Sequence, residues 1–348
     1  MNAASSRAAE RTRMFEEAAA ASSAVRVQLE RDAGAMAAIG ADLRRLKPRA
    51  VITCARGSSD HAATYAKYLI ETRAQVLTAS AAPSVSSVYG VTQDVRGCLF
   101  IAISQSGRSP DLLASVQSAK ASGATILAMC NSADSPLVAA ADLVVHLRAG
   151  PETSVAATKS YIASLAAIAR LVASWTQSAA LESTLERLPD LLDQSWKLDW
   201  SAALTQLESV ANLYVVGRGL GLAAAQETAL KCKETCGMHA EAFSSAELRH
   251  GPYALLREGF PALLFAQRDA TLPGIEALGA ELSRRGVPVL IAGGKASGAT
   301  ALPTLDATAE LAPILLVQSA YRMIASLSVR RGLDPDHPPH LRKITETV

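Results

Sequence analysis

Small polar side chains stand together where an apolar run ends. Leu99-Phe100-Ile101-Ala102-Ile103 breaks into Ser104-Gln105-Ser106-Gly107, and Arg108-Ser109-Pro110-Asp111 follows. The run has the composition of a buried strand. Ser109 can cap a helix, Pro110 suits its first position, and Asp111 falls in its first turn. Free N–H groups and the positive end of the helix dipole would then face whatever the loop holds. Serine hydroxyls and one amide add neutral donors, which suits a phosphate that must be bound and released. Taken alone, the same residues also make an ordinary strand–loop–helix turn with a serine cap.

A second stretch carries acid–base chemistry. Glu227-Thr228-Ala229-Leu230-Lys231-Cys232-Lys233-Glu234 reads as helix, with Glu227 and Lys231 four apart and Lys231 and Glu234 three apart. A solvated face with one helix ion pair, contributing about 0.2–0.5 kcal/mol, satisfies the same spacing. Beyond it, His239, Glu241, Glu247 and His250 crowd among small residues, and Gly251-Pro252 forces a turn just after His250. A histidine held at a rigid turn near a carboxylate base is a better acid–base candidate than a lone one.

Elements must position these groups, and the totals bound which ones. A chain of 348 residues suggests two domains, and 49% hydrophobic content with 4% aromatic gives a core of Ala, Leu, Val and Ile. Lys+Arg 34 against Asp+Glu 32 leaves +2, no electrostatic footprint for nucleic acid. The five cysteines are odd in number, which argues against a disulfide framework and for a reducing cytoplasm. Cys232 and Cys236 share a helix face, but no further Cys/His pair completes a zinc site. Met1 to Arg13 has no apolar core of signal type. No stretch reaches the roughly 20 apolar residues of a membrane span.

The N-terminal region, from about Ser6 to Leu46, reads as helix. Strands are expected at Arg49 to Cys54, Gln75 to Ala79, Leu99 to Ile103, Ala124 to Cys130 and Leu143 to Leu147, with helices at His61 to Ile70, Asp111 to Ala121 and Thr153 to Trp175. Strands alternating with helices argue for a parallel sheet covered on both faces. Ligands in such sheets sit beyond the carboxyl ends of the strands, which places Gly57-Ser58-Ser59 and Ser104-Gln105-Ser106 on one rim. Leu181 to Trp200 reads as a helical linker interrupted at Pro189. The plan then repeats about 160 residues on: Leu213 to Gly219 answers Val51 to Gly57, Ala262 to Ala266 answers Leu99 to Ile103, Gly274 to Arg285 the helix after it, and Val287 to Ala292 answers Ala124 to Cys130. The fold class expected is α/β, two tandem doubly wound parallel-sheet domains. The segments are residues 1–40 (helical), 41–178, 179–204 (linker), 205–333 and a tail, 334–348. The second copy has Gln267-Arg268-Asp269 in place of the serine cluster, so it is not expected to hold a second anion.

The residues also carry a family resemblance. Ser104-Gln105-Ser106-Gly107, Thr153-Ser154-Val155-Ala156-Ala157-Thr158-Lys159, Ala229-Leu230-Lys231-Cys232-Lys233-Glu234, His239-Ala240-Glu241-Ala242, Glu247-Leu248-Arg249-His250-Gly251-Pro252 and Leu341-Arg342-Lys343 stand in the order found in the sugar isomerase (SIS) family. Within it the chain resembles the isomerase half of glucosamine-fructose-6-phosphate aminotransferase, over roughly residues 40 to 348, and stand-alone glucosamine-6-phosphate deaminases of that type. The resemblance implies a homodimer that binds an open-chain hexose 6-phosphate and needs no metal or organic cofactor. It implies that Ser104, Gln105, Ser106 and Ser109 hold the phosphate and that Gly57, Ser59, Val155 and Ala157 line the sugar. Glu234 would move a proton between C1 and C2, and Lys231 would assist. His250 would open the ring from across the subunit interface, and Lys343 would close over the substrate on the tail.

The departures from that pattern shape the expected activity. About 40 residues precede the first strand, too few for the glutaminase domain of the aminotransferase. The expected reaction is therefore release: glucosamine 6-phosphate plus water to fructose 6-phosphate plus ammonia. A phosphorylated-fructosamine deglycase, a glutaminase-less aminotransferase-type isomerase and a sugar-phosphate sensor without turnover stand as alternatives. The sugar could have the gluco or the galacto configuration. Arg56 and Arg108 depart from the family pattern, and either could alter substrate choice or be a plain surface charge.

Overall fold

The computed structural model describes residues 8–343, so Ser6 and the tail beyond Lys343, which the expectations include, lie outside the described residues. Two compact units make up the chain. One holds 23–151 and 160–186. The other holds 8–22, 152–159 and 187–343. Each contains one five-stranded sheet in which every pairing is parallel.

The first sheet is built from β1 (Val51–Cys54), β2 (Thr78–Ser80), β3 (Leu99–Ser104), β4 (Thr125–Cys130) and β5 (Leu143–His146), in the order β2-β1-β3-β4-β5. All six residues of central β3 are buried, as parallel strands covered on both faces require. Helix α4 (Ser58–Arg73) follows β1 and α5 (Pro110–Ala121) follows β3. Phe100, Ala102, Ile126 and Ala128 of the sheet pack with Leu112, Val116 and Ala119 of α5. The second sheet repeats the plan with β6 (Asn212–Gly217), β7 (His239–Ser244), β8 (Ala262–Phe265), β9 (Val289–Ala292) and β10 (Thr300–Leu302), ordered β10-β9-β8-β6-β7. Helix α10 (Gly221–Cys236) follows β6 and α11 (Leu272–Arg284) follows β8.

Several elements differ from expectation. The single N-terminal helix is three: α1 (Arg13–Ala19), α2 (Ala21–Arg31) and α3 (Ala33–Leu46). The second break falls at Asp32, whose carboxylate takes a two-pronged bond from Arg148, both prongs 2.6 Å. Pro189 does not interrupt a helix but starts one, because its missing N–H costs nothing there: α7 (Ala179–Glu186) ends before it and α8 (Leu188–Trp196) begins at its neighbour. Helix α6 runs Lys159–Thr176, so residues 153–158 are not helical. Helix α9 (Ser201–Leu207) leads into β6, and β7 and β10 are strands that the periodicity did not mark. The long helix α12 (Ala312–Arg330) has a mean hydropathy of 1.3, enough by length and composition to cross a membrane, yet 78% of its apolar window is buried inside its unit.

Gly217 closes the turn from β6 to α10. A Cβ there would stand 2.4 Å from the carbonyl oxygen of Gly221 and 2.8 Å from the amide of Leu222, both backbone of the helix's first turn. Nothing flexible can yield, so Gly217→Ala should cost about 1–3 kcal/mol in a urea denaturation midpoint. Gly34 in α3 has nothing within 4 Å of its absent Cβ. Gly34→Ala should gain about 0.5–1 kcal/mol. Equal effects of the two substitutions would contradict this packing.

Candidate active site

Two loops meet the rim of the first sheet. Cys54 pairs with Ala102 in the β1–β3 register, so the segments after these strands emerge side by side at the carboxyl edge. Gly57 sits before α4 at φ +54°, and Ser58 and Ser59 form the helix's first turn. Burial pushes the Cys54 thiol up to about 12, so no thiolate stands beside this loop at neutral pH. In the second loop the Ser104 hydroxyl accepts the Gly107 N–H at 2.9 Å, leaving its own proton to give. The amide of Arg108 points at the Ser106 hydroxyl at 3.4 Å. Gly107 has φ +65°, and a Cβ there would lie 2.4 Å from the Ser135 hydroxyl oxygen. Ser109 occupies the N-cap position of α5 as expected, but its hydroxyl makes no capping bond. An anion could therefore meet hydroxyl donors and a helix N-terminus together.

Each of the two departing arginines has a partner. Arg56 is paired with Asp111 at 2.7 Å, and Asp111, wholly buried, also accepts its own helix's Leu112 N–H. Arg56 thus ties the loop between β1 and α4 to α5. Arg108 donates to the carbonyl of Asp134 at 3.1 Å.

The titratable groups of the other unit centre on α10. Lys231 is buried, and its ammonium lies 2.5 Å from Glu234 Oε2 and 3.5 Å from Glu227 Oε1. Glu227 is fully buried and accepts the Tyr321 hydroxyl of α12 at 2.8 Å. A solvated helix face is therefore excluded. Burial alone would lower the Lys231 pKa, but the carboxylates of Glu227, Glu234 and Glu152 together outweigh it and hold the amine above its ordinary value. Glu234 keeps 21% of its side chain exposed, against 1% for Lys231. It also opens on a cavity of about 550 Å³ lined by Leu230, Lys233, Gly237, Leu333 and His337. This is a carboxylate fixed by a lysine and still reachable from outside.

Glu152 is the member that sequence reasoning missed. It is fully buried, accepts the Thr158 N–H at 3.0 Å, and stands 3.3 Å from Lys343 Nζ. The tail lysine therefore comes to the same group of charges as Lys231. An acid directly after Gly150-Pro151 and before a hydroxyl-rich loop was the available signal. Val155 and Ala157 lie on this loop, between Glu152 and α6. His250 is not brought to the Lys231–Glu234 pair. It is exposed at the end of a 3-10 turn (Glu247–Arg249), with Gly251 at φ +134° after it. Of the expected crowd of histidines and acids, His239 and Glu241 meet at 3.9 Å on edge strand β7, while Leu248 points into the core.

Lys231→Met leaves Glu227 buried without its counter-charge, and should cost about 3–5 kcal/mol at pH 7 in chemical denaturation. Because the folded pKa of Lys231 is raised, its contribution is present below the unfolded lysine value of about 10.4. It is lost as pH rises through the higher folded value. The gap between wild type and Lys231→Met should hold from pH 7 to 10 and close above that. A gap under about 1 kcal/mol at pH 7 would contradict the network.

Known proteins resemble this chain over most of its length. The SIS domain matches residues 46–174 and again 206–330, one match over each sheet. The glutamine–fructose-6-phosphate aminotransferase (isomerizing) of Sulfurisphaera tokodaii is 33% identical over 304 residues, 86% of this chain and 50% of that protein. The chain spans about half the length of the curated relatives it matches. A crystal structure from Silicibacter pomeroyi, described as a candidate phosphosugar isomerase, is 38% identical with a TM-score of 0.90, covering 93% of this chain and 100% of the other. The C-terminal domain of glucosamine-fructose-6-phosphate aminotransferase from Francisella tularensis is 26% identical with a TM-score of 0.84, over 94% and 98% of the two chains. Two matched domains, each on its own parallel five-stranded sheet, establish that this chain belongs to the SIS domain family.

Proposed function

We propose that the protein is an amino-sugar phosphate isomerase that releases ammonia, converting glucosamine 6-phosphate and water into fructose 6-phosphate and ammonia. The observation that carries this reading is the Lys231–Glu234 pair, 2.5 Å apart, with the lysine buried and the carboxylate reachable. In the open-chain sugar, Glu234 takes the proton from C2, which bears the amine, and returns it to C1 while one amine proton passes to the C1 oxygen. The double bond left between C2 and nitrogen adds water, and ammonia departs as the C2 ketone forms. The named relatives act on hexose 6-phosphates of this kind, which supports the substrate class.

The roles follow from the chemistry of each group. Ser104, Gln105, Ser106 and Ser109 are assigned the phosphate, and Gly57, Ser59, Val155 and Ala157 the sugar. Lys231 orients Glu234 through their 2.5 Å contact. Lys343 closes on the substrate with the tail, and Glu152, its buried counter-charge, sets where its ammonium rests. His250 is assigned ring opening, contributed by the partner subunit of a homodimer; its exposure at a rigid turn suits a residue that works on another chain's sugar. The five cysteines, all buried free thiols, suit a cytoplasmic enzyme.

Incubation with glucosamine 6-phosphate should yield ammonia and fructose 6-phosphate in equal amounts. Glu234→Gln should lower kcat by about 100- to 10,000-fold while leaving sugar-phosphate affinity intact. Ser106→Ala should instead raise KM about tenfold, the value of one hydrogen bond to a charged group. Cleavage of a fructosamine 6-phosphate without ammonia from glucosamine 6-phosphate would replace this reading with a deglycase. Net synthesis of glucosamine 6-phosphate only with an added amine donor would point to an aminotransferase-type isomerase. Tight binding of sugar phosphates without turnover would make the chain a sensor.

A further inference from the structure

Helix α1 belongs to the same unit as the Lys231 network, although β1 to β5 separate it from that network in sequence. Its contacts show what it does there. Glu17 Oε1 accepts the Thr153 N–H at 2.6 Å and the Thr153 hydroxyl at 3.1 Å, and Oε2 accepts the Ser154 N–H at 3.1 Å. One carboxylate thus holds the two residues that follow Glu152. At the start of the same helix, the N–H groups of Arg13 and Met14 donate to the two oxygens of Asp336, each at 2.8 Å. Asp336 lies on the tail seven residues before Lys343. The far end of α1 is fastened by Gln318 of α12, which donates to the Ala18 carbonyl at 3.0 Å. Phe15 meets Trp196 edge-to-face at 4.8 Å.

Resting on the function proposed above, we propose that α1 is a brace of the active site and that Glu17 is a positioning residue. It fixes the 152–158 loop so that Glu152 meets Lys343, and Asp336 ties the tail that carries Lys343 to the same helix. Loop and tail are the two ends of the Glu152–Lys343 contact, so a single seven-residue helix sets the separation of both. A carboxylate is the fitting group at position 17. It has only acceptors to offer, and three donors of one loop converge on it. An amide in its place would turn an N–H₂ toward a backbone N–H. Misplacement by an ångström is enough to cost about 100-fold in rate.

The test compares Glu17→Gln, Glu17→Asp, Asp336→Asn and Phe15→Ala with wild type in the full-length chain. Backbone hydrogen exchange at Thr153 and Ser154, affinity for fructose 6-phosphate and turnover of glucosamine 6-phosphate are followed below every melting temperature. Glu17→Gln should expose the two amides to exchange and lower kcat by about 10- to 100-fold, with KM changed far less. Glu17→Asp should recover part of the rate, and Asp336→Asn should show a smaller loss in the same direction. Phe15→Ala, which removes the ring packed on Trp196 but leaves the Glu17 and Asp336 carboxylates in place, should lower the melting temperature, keep the two amides protected and cost less kcat than Glu17→Gln. The brace is overturned by unchanged exchange in Glu17→Gln, by exposed amides with unaltered kcat, or by an equal kcat loss in Phe15→Ala. If wild type itself turns over no glucosamine 6-phosphate, the functional reading falls. The brace is then decided by exchange and by fructose 6-phosphate affinity, where an unchanged Glu17→Gln overturns it.

Discussion

A single ammonium buried among three carboxylates organises the unit that carries the second sheet. An unpaired charge on Lys231 would be driven to its neutral form by burial. Glu227, Glu234 and Glu152 reverse that outcome, and each comes from a different structural need. Glu227 is pinned by Tyr321 of α12, the unit's central apolar helix. Glu234 is carried two turns further along α10, where the helix approaches its C-terminal Gly237 and the surface. Glu152 arrives on the stretch of chain between β5 and α6. Because removing any one partner strands the others in a medium of low dielectric, the arrangement is held as a set.

The two sheets share a plan but not a chemistry. In the first, the turn after the central strand is made of hydroxyls around Gly107, which only a residue free to take φ +65° beside Ser135 can occupy. In the second, the corresponding turn is Gln267-Arg268-Asp269. There the Gln267 amide and the Asp269 carboxylate bond to one another and to Thr271, closing the turn on itself. The donors that would greet an anion in one copy are used internally in the other. The two sheets share a scaffold, and the loops at their carboxyl edges differ.

Much of this was legible in the sequence. The strand pairs that answer each other across about 160 residues take equivalent places in the two sheets, since buried parallel strands leave an unmistakable apolar run. The ion-pair spacing on α10 was visible too, but not its burial, because Tyr321 and Glu152 reach it from distant parts of the chain. Residues 153–158 read as helix from their alanines. They are held out of helix by Glu152, which takes the Thr158 N–H, and by Glu17, which takes those of Thr153 and Ser154. Strand β7 escaped notice because its small and polar residues, His239 to Ser244, suit a half-covered edge rather than an apolar run. In each miss a long-range polar contact or an edge position outweighed local propensity.

The central claim is that Glu234, fixed by Lys231, removes the proton at C2 of an open-chain amino-sugar phosphate. The most direct measurement follows the C2 hydrogen of glucosamine 6-phosphate by NMR in deuterium oxide, with wild type and with Glu234→Gln side by side. The account predicts that the C2 signal disappears with wild type, in step with formation of fructose 6-phosphate, and persists with Glu234→Gln. Loss of the C2 hydrogen at the same rate with both proteins would contradict it.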